Sequence, residues 1–287
     1  MKRLSSFGGI LITVGIIIIL VSIHRVGYDL RNFSTVTTFT EKEYVFDPSV
    51  HTLEITDSDC EIVLSPSYDG KIHILLFENE TDTYVHNRFD HSAGTKLTFE
   101  NISAKKWYEK IFDWNNEKRY FTVLIPDTSS VHIGIKGENT PLLVSDVMCA
   151  PLDVTTNSSV EIDTLMCAEQ LEVSSSDSGI TLADITCGDV TVNTTNAPIS
   201  ANRVMSGGKA MLVTTNASIS VNRIGVSDGL TLKTLNGKIT GSVTGTISDF
   251  DVSVRADKCN IPCDLYSGDI PLVLEALNDR INLSFVK

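Results

Sequence analysis

Basic residues are scarce in this sequence. Lys and Arg total 23 against 36 Asp and Glu, a net charge of −13 over 287 residues. Residues 1–25 hold Lys2, Arg3 and Arg25 and no acid, so the rest of the chain carries 20 basic against 36 acidic residues, a net of −16. A surface of that sign repels phosphate backbones, which excludes nucleic acid as a partner. It also disfavours direct adhesion to anionic lipid or wall polymers unless a metal ion bridges. The recurrent catalytic motifs are missing: there is no G-x-S-x-G elbow, H-E-x-x-H pair, P-loop or G-x-G-x-x-G. The nonapeptide calcium repeat is missing, and no Asp-Asp or Asp-x-Asp cluster recurs at repeat spacing. These absences point away from an enzyme and give no catalytic, cofactor or metal residue. Tryptophan is confined to Trp107 and Trp114. Disorder is excluded as well, because 42% of the residues are hydrophobic and only 21% charged.

Long apolar runs are also rare, and the one that stands out is Leu4–Ile23, without a charge. As a helix it spans about 30 Å, the thickness of a hydrocarbon core. It has no small-residue cleavage site and no Cys near its end, so it reads as an uncleaved signal anchor rather than a signal peptide or lipoprotein leader. Lys2 and Arg3 favour the N-terminus inside and the body outside, with Arg25 and Arg31 weakening the bias. The expected organisation is a cytoplasmic tip and transmembrane segment over 1–25, a polar stalk over 26–45 and a β-domain over 46–287. The expected location is a bacterial cell membrane, crossed once, with the body extracytoplasmic.

What is present is a repeat. VTVNTTNAPISANRV (190–204) recurs 20 positions later as AMLVTTNASISVNRI (210–224). The unit is an apolar residue, an Asn or Asp four positions on, and an apolar residue three further: Ile55, Asp59, Ile62; Ile135, Asn139, Leu142; Leu212, Asn216, Ile219; Leu232, Asn236, Ile239; Leu274, Asn278, Ile281. From Asn139 the anchors run 139, 157, 177, 196, 216, 236, 258 and 278, with Lys258 in place of the Asn at one of them. Alternation of Val, Ile, Leu and Thr over 3–5 residues is strand chemistry. A single repeat cannot bury its apolar side, so repeats stack. The fold expected is all-β, a three-sided parallel β-solenoid with coils of about 20 residues, about 40 Å long from residue 139 onward at ~4.8 Å per coil. Asn139, Asn157, Asn196, Asn216, Asn236 and Asn278 form a structural ladder in which Asn supplies left-handed corners and stacked amides. Arg203 and Arg223 stack too. They either hold an anionic group between them or pair with acids such as Asp184 or Asp228.

Six cysteines lie beyond the apolar run. Cys149, Cys167 and Cys187 hold one repeat position, in VMCA, LMCA and ITCG, and Ser206 follows in VMSG. Period two turns them inward, one strand spacing apart and within disulfide range; an odd-numbered inward column of small residues is also ordinary packing. Cys259 and Cys263, across Pro262, are the better disulfide candidate. No set of ligands with zinc-site spacing accompanies either group.

Between Asp59 and Asn139 the texture changes, and an aromatic-rich insertion or cap is expected at about 78–120. Lys71–Phe77, Lys96–Phe99 and Tyr120–Ile125 read as strands, Ser92–Thr95 as a hairpin turn, and Ala104–Trp114 as helical. Trp107, Tyr108, Phe112 and Trp114 form a candidate binding patch, or else belong to the cap that a stacked column needs at its end.

The Ile55 start, the TVLIP strand (Thr122–Pro126) and coils reading L-x-V-x-T-x-N-x-I-x-I resemble the bacterial putative-adhesin family of β-strand-repeat proteins, the LiaG-like group of Gram-positive envelopes. The resemblance covers about residues 45–287, with Asn at turns where the family usually has Gly. It implies a non-enzymatic binding, adhesion, scaffold or envelope-sensing module whose partner is an envelope protein or glycan, and it brings no catalytic residues. Two alternatives stay open. A carbohydrate-active enzyme would show outward carboxylates on three adjacent coils. A self-assembling structural protein would leave an uncapped, apolar last coil at Ile281–Val286. The pattern does not set an oligomeric state.

Overall fold

The computed structural model describes residues 24–25, 38–80, 82–92, 94–103, 119–127, 130–261 and 268–287. The apolar run Leu4–Ile23, the aromatic patch Trp107–Trp114 and Cys263 lie outside them. Among the described residues no helix is long and apolar enough to cross a membrane. The described chain is all-β.

The column begins with β2 (Val50–Ser58) and β3 (Glu61–Ser67) and resumes with β8 (His132–Glu138) and β9 (Leu142–Cys149). It continues through β10 (Leu152–Thr156), β11 (Val160–Ser175), β12 (Ile180–Thr194), β13 (Ile199–Ser206) and β14 (Lys209–Thr214). After these come β15 (Ile219–Val226), β16 (Gly229–Thr234) and β17 (Ile239–Thr244). Each strand pairs in parallel with the equivalent strand of the next repeat. One inward line therefore runs Ile62, Leu142, Val160, Ile180, Ile199, Ile219, Ile239, Ile281, all in register and all buried. A second runs Ile55, Ile135, Val154, Val173, Val192, Leu212, Leu232, Leu274. Each such side chain contributes about 1.5–3 kcal/mol of burial, and each does so only because its neighbour on the next repeat is also apolar.

Two corners turn the chain differently. Asp146, Thr164, Asp184, Arg203 and Arg223 all have φ between 52° and 58°. One left-handed residue makes this corner without breaking the pairing, so β11 and β12 run through it as strands of 16 and 15 residues, longer than the 3–5 expected. At the Asn corner only Asp59 and Asn139 have positive φ. The expectation that the Asn residues supply left-handed backbone is corrected: this turn spreads over several residues of ordinary conformation. Buried hydroxyls satisfy its carbonyls instead. Thr156 Oγ1 donates to Thr140 O at 2.9 Å, Ser175 Oγ to Ser158 O at 3.0 Å, and Thr234 Oγ1 to Ala217 O at 2.8 Å. A buried carbonyl without a donor costs about 1–3 kcal/mol, which explains a polar residue at each of these positions.

The far end departs from sequence order. β19 (Ile270–Val286) pairs with β16 and β17 on one side, and β18 (Phe250–Cys259) pairs with β19 on the other. The strand that comes later in sequence is therefore the inner one, and Asn278 stacks directly on Asn236 rather than on Lys258. Composition accounts for this. β19 buries Leu272, Leu274, Ala276, Ile281 and Leu283, whereas β18 carries Asp251, Arg255, Asp257 and Lys258, suited to an edge where charge blocks further pairing. Ile281–Val286 is thus not a bare last strand: Asn260 Nδ2 donates to Leu283 O at 2.8 Å and Leu283 N–H to Asn260 Oδ1 at 3.0 Å.

The near end is closed by aromatics. β5 (Asp82–His91) and β6 (Gly94–Ser103) form an antiparallel hairpin, and β6 also pairs in parallel with β2. β4 (Ile72–Glu78) lies antiparallel between β1 (Thr40–Phe46) and β7 (Tyr120–Pro126). β1 begins inside the stretch first assigned to the stalk, because Tyr44 and Phe46 alternate inward and pack edge-on against Phe99, with ring centroids 5.7 and 6.2 Å away. Phe99 meets Phe121 at 5.8 Å, and Phe121 meets Tyr84 at 5.4 Å. Tyr84 O–H donates to Asp57 Oδ2, and Ser58 N–H to Asp57 Oδ1 at 2.6 Å. With Asp57 only 4% exposed, burial outweighs these donors and pushes its carboxyl up to about 6.

Two stability outcomes are expected. Gly241 has φ 130°, and a Cβ there would stand 1.6 Å from Val221 O. Gly70 has φ 76° with nothing within 4 Å. In denaturant unfolding Gly241→Ala should cost about 3 kcal/mol or more and Gly70→Ala about 1 kcal/mol; equal costs would mean the close approach at Gly241 is absent. A raised Asp57 carboxyl binds its proton more tightly in the folded state. Its contribution is complete below the unfolded value of 3.8 and lost as pH rises through about 6, about 3 kcal/mol in all. Asp57→Asn should flatten stability between pH 4 and 6 and raise it at pH 7, and an unchanged pH profile would refute the assignment.

Candidate functional site

Along the second face, next to the Asn corner, one outward column reads Lys136, Thr155, Ser174, Asn193, Val213, Lys233. Its middle members are short and its outer members longer or branched. The difference leaves an open groove of about 460 Å³ crossing four repeats. Thr155, Ser174, Ser176, Asn193 and Thr195 line it together with Asn157 from the ladder, and Glu138 is the only charged residue among its lining. Below them lie the buried hydroxyls of Thr156, Ser175 and Thr194, held by corner carbonyls. The lining supplies hydroxyl and amide groups at repeat spacing, able both to donate and to accept hydrogen bonds. It contains no nucleophile–base pair.

The Asn residues form two hydrogen-bonded runs at the rim. In the first, Asn139 Nδ2 donates to Asp59 Oδ1 at 3.1 Å and Asn157 Nδ2 to Asn139 Oδ1 at 3.4 Å. In the second, Asn196 Nδ2 donates to Asp177 Oδ1 at 2.8 Å, and Asn216, Asn236 and Asn278 each donate to the preceding Asn at 2.7 Å. Asp177 ends that run as a pure acceptor, and its carboxyl is held below the usual range by the Asn196 amide and the Ser176 hydroxyl.

Arg203 donates through Nε and Nη2 to both oxygens of Asp184, one repeat away, which holds that carboxyl low. Its guanidinium is therefore engaged. Arg223 is exposed, and its backbone N–H donates to Ser242 Oγ at 2.9 Å.

Outward carboxylates meet at Asp153 and Glu172 on adjacent repeats, with Thr191 on the next. His132 Nε2 is 2.7 Å from Asp153 Oδ2, and Gln170 Nε2 donates to Glu172 Oε2 at 3.0 Å. The pair does not extend to a third repeat and is occupied by these partners. Among the described residues no group of His, Cys, Asp and Glu is arranged to hold a metal ion.

Trp107, Tyr108, Phe112 and Trp114 lie outside the described residues, as does Cys263, so neither the aromatic patch nor the Cys259–Cys263 pairing is placed. Sequence reasoning missed the groove. Its signal was the run of short polar residues at 155, 174 and 193 between Lys136 and Val213, visible only once the column is in register.

Residues 50–285 match the family model described as Toastrack DUF4097. The chain belongs to the Toastrack DUF4097 family. No curated protein matches it. Two solved structures are similar to this Toastrack chain. One, described as a putative cell adhesion protein from Clostridium sporogenes, has 10% identity and a TM-score of 0.34, over 87% of this chain and 100% of its own. The other, a putative adhesin from Bacteroides fragilis, has 13% identity and a TM-score of 0.49, over 86% and 97% respectively.

Asn216 both accepts from Asn236 and donates to Asn196, so Asn216→Leu in this Toastrack domain should cost about 1–2 kcal/mol through two lost amide bonds. An unchanged melting temperature would mean that the ladder is decorative.

Proposed function

We propose that this protein is a membrane-tethered, extracytoplasmic β-solenoid that binds a neutral polar polymer, such as an uncharged glycan strand, at the cell envelope, without catalysis. The observation that carries the reading is the groove across four repeats, lined by hydroxyl and amide groups with Glu138 as the one charge. A repeating ligand suits a repeating surface, because each repeat offers the same donors and acceptors one strand spacing further on. The tether is supported by the uncharged run Leu4–Ile23 behind Lys2 and Arg3. The solenoid reading is supported by parallel pairing that advances one repeat at a time. A carbohydrate-active enzyme is the weaker reading, since Asp153 and Glu172 stand without a third carboxylate. Self-assembly through the last strand is weaker too, since the edge is the charged β18.

The test has two arms. Protease added to intact cells should digest the body of the full chain and leave a membrane-embedded fragment; a fully protected chain removes the tethered, outside topology. In an array of neutral and anionic envelope glycans, the chain should retain a neutral strand, and Ser174→Lys with Asn193→Lys should abolish retention without lowering the melting temperature. Retention by the groove variant and loss in Trp107→Ala, Trp114→Ala would move the site to the aromatic segment. Release of shorter sugars during incubation would overturn the non-enzymatic reading.

A further inference from the structure

Sulfur is concentrated in one place. Met148-Cys149, Met166-Cys167 and Cys187 occupy successive repeats of one strand position, and Met205 follows on the next. The methionines point outward, with Met148, Met166 and Met205 38%, 52% and 47% exposed. The cysteines point inward as thiols, between 3% and 5% exposed. Part of this column is ordinary corner chemistry. Cys167 Sγ–H donates to Gln170 O at 3.0 Å and Cys187 Sγ–H to Asp189 O at 3.2 Å, and Ser206 Oγ–H does the same for Lys209 O at 3.0 Å. Ser206 shows that the corner needs only a small donor, so sulfur on three consecutive repeats is more than packing requires.

We propose that Cys149, Cys167 and Cys187 form a peroxide-responsive thiol relay, in which the central Cys167 closes a disulfide to Cys149 or Cys187. In-register parallel neighbours lie about 4.8 Å apart, within the Cα range of a disulfide, so closure needs no change of register. Cys167 is central, with a thiol one repeat away on either side. It is a partner in either link, because Cys149 and Cys187 stand two strand spacings apart and cannot join each other without it. The thiolate attacks one oxygen of hydrogen peroxide. The O–O bond breaks, hydroxide leaves and is protonated to water, and Cys167 becomes a sulfenic acid. The thiol of Cys149 or Cys187 then attacks that sulfur, forming S–S and breaking S–O, with release of a second water. Two thiols and one peroxide give one disulfide and two waters. Burial restricts the reaction to an oxidant of about that size. The product ties two repeats together and leaves the third thiol able to exchange with the bond.

The experiment is peptide mapping of the reduced full chain after graded hydrogen peroxide, with alkylation after denaturation. The exposed thioethers serve as an internal gauge, since sulfoxide adds oxygen where a disulfide removes hydrogen. The expected result is a peptide joining Cys167 to Cys149 or Cys187 at doses that leave Met166 mostly intact, and a higher melting temperature for the oxidised chain. Cys149→Ser should send all of the link to Cys187, and Cys167→Ser should abolish it; Ser206 shows that serine fits the column. All three thiols remaining alkylatable while Met166 is oxidised, or a Cys149–Cys187 link forming in Cys167→Ser, would overturn the relay.

Discussion

The structure depends on parallel, in-register stacking. Every inward position of one repeat lies on the same position of the next, so no side chain packs independently of its column. An apolar residue is stabilised only by an apolar neighbour on either side, and a polar one only by a partner at the same height. This explains why the columns are chemically uniform: Ile, Val and Leu along both inward lines, hydroxyls at one corner and thiols with a serine at another. It also explains how a large β-surface stays closed. Among the described residues, the pairing that joins repeats leaves edges only at the two ends, one covered by a hairpin and aromatic rings and the other formed by a charged strand.

The corners show the same constraint solved twice. At one, a single left-handed residue turns the chain, and the identity of that residue varies from Asp through Thr to Arg. The backbone ladder on both sides holds it there, so strain in Thr164 is tolerated because neighbouring repeats fix the geometry. At the other, beyond Asp59 and Asn139, the backbone stays in ordinary conformations. Inward hydroxyls satisfy the carbonyls there, and outward amides bond along the column. The groove follows from the second solution, since a turn built from small polar residues leaves space where the next repeats carry Val213 and Lys233.

The acidic surface and the neutral groove fit together. A net charge of −13 repels other acidic polymers, while the hydroxyl and amide lining carries a single charge, that of Glu138. On the proposed reading, selectivity for an uncharged polar chain would come from repulsion elsewhere as well as from hydrogen bonds within the groove. The buried Asp57 at the near end and the thiol column in the middle are chemically distinct from that surface, and neither lines the groove.

By itself the sequence determined the all-β class, the repeat length, which residues face inward and the position of the Asn line. Those features depend on period two and on a fixed offset, both local properties of the chain. Tertiary structure decided the rest. The exchange of β18 and β19 could not be read from spacing, because two consecutive repeats of equal length fit either order and only the burial of Leu272, Leu274 and Ile281 against β16 and β17 selects one. The left-handed corner falls on Thr164, Arg203 and Arg223 rather than on Asn because the closed pairing, not intrinsic preference, sets backbone conformation there. The groove is a difference in side-chain height between neighbouring repeats. Height differences exist only after residues some 20 positions apart in sequence have been brought side by side.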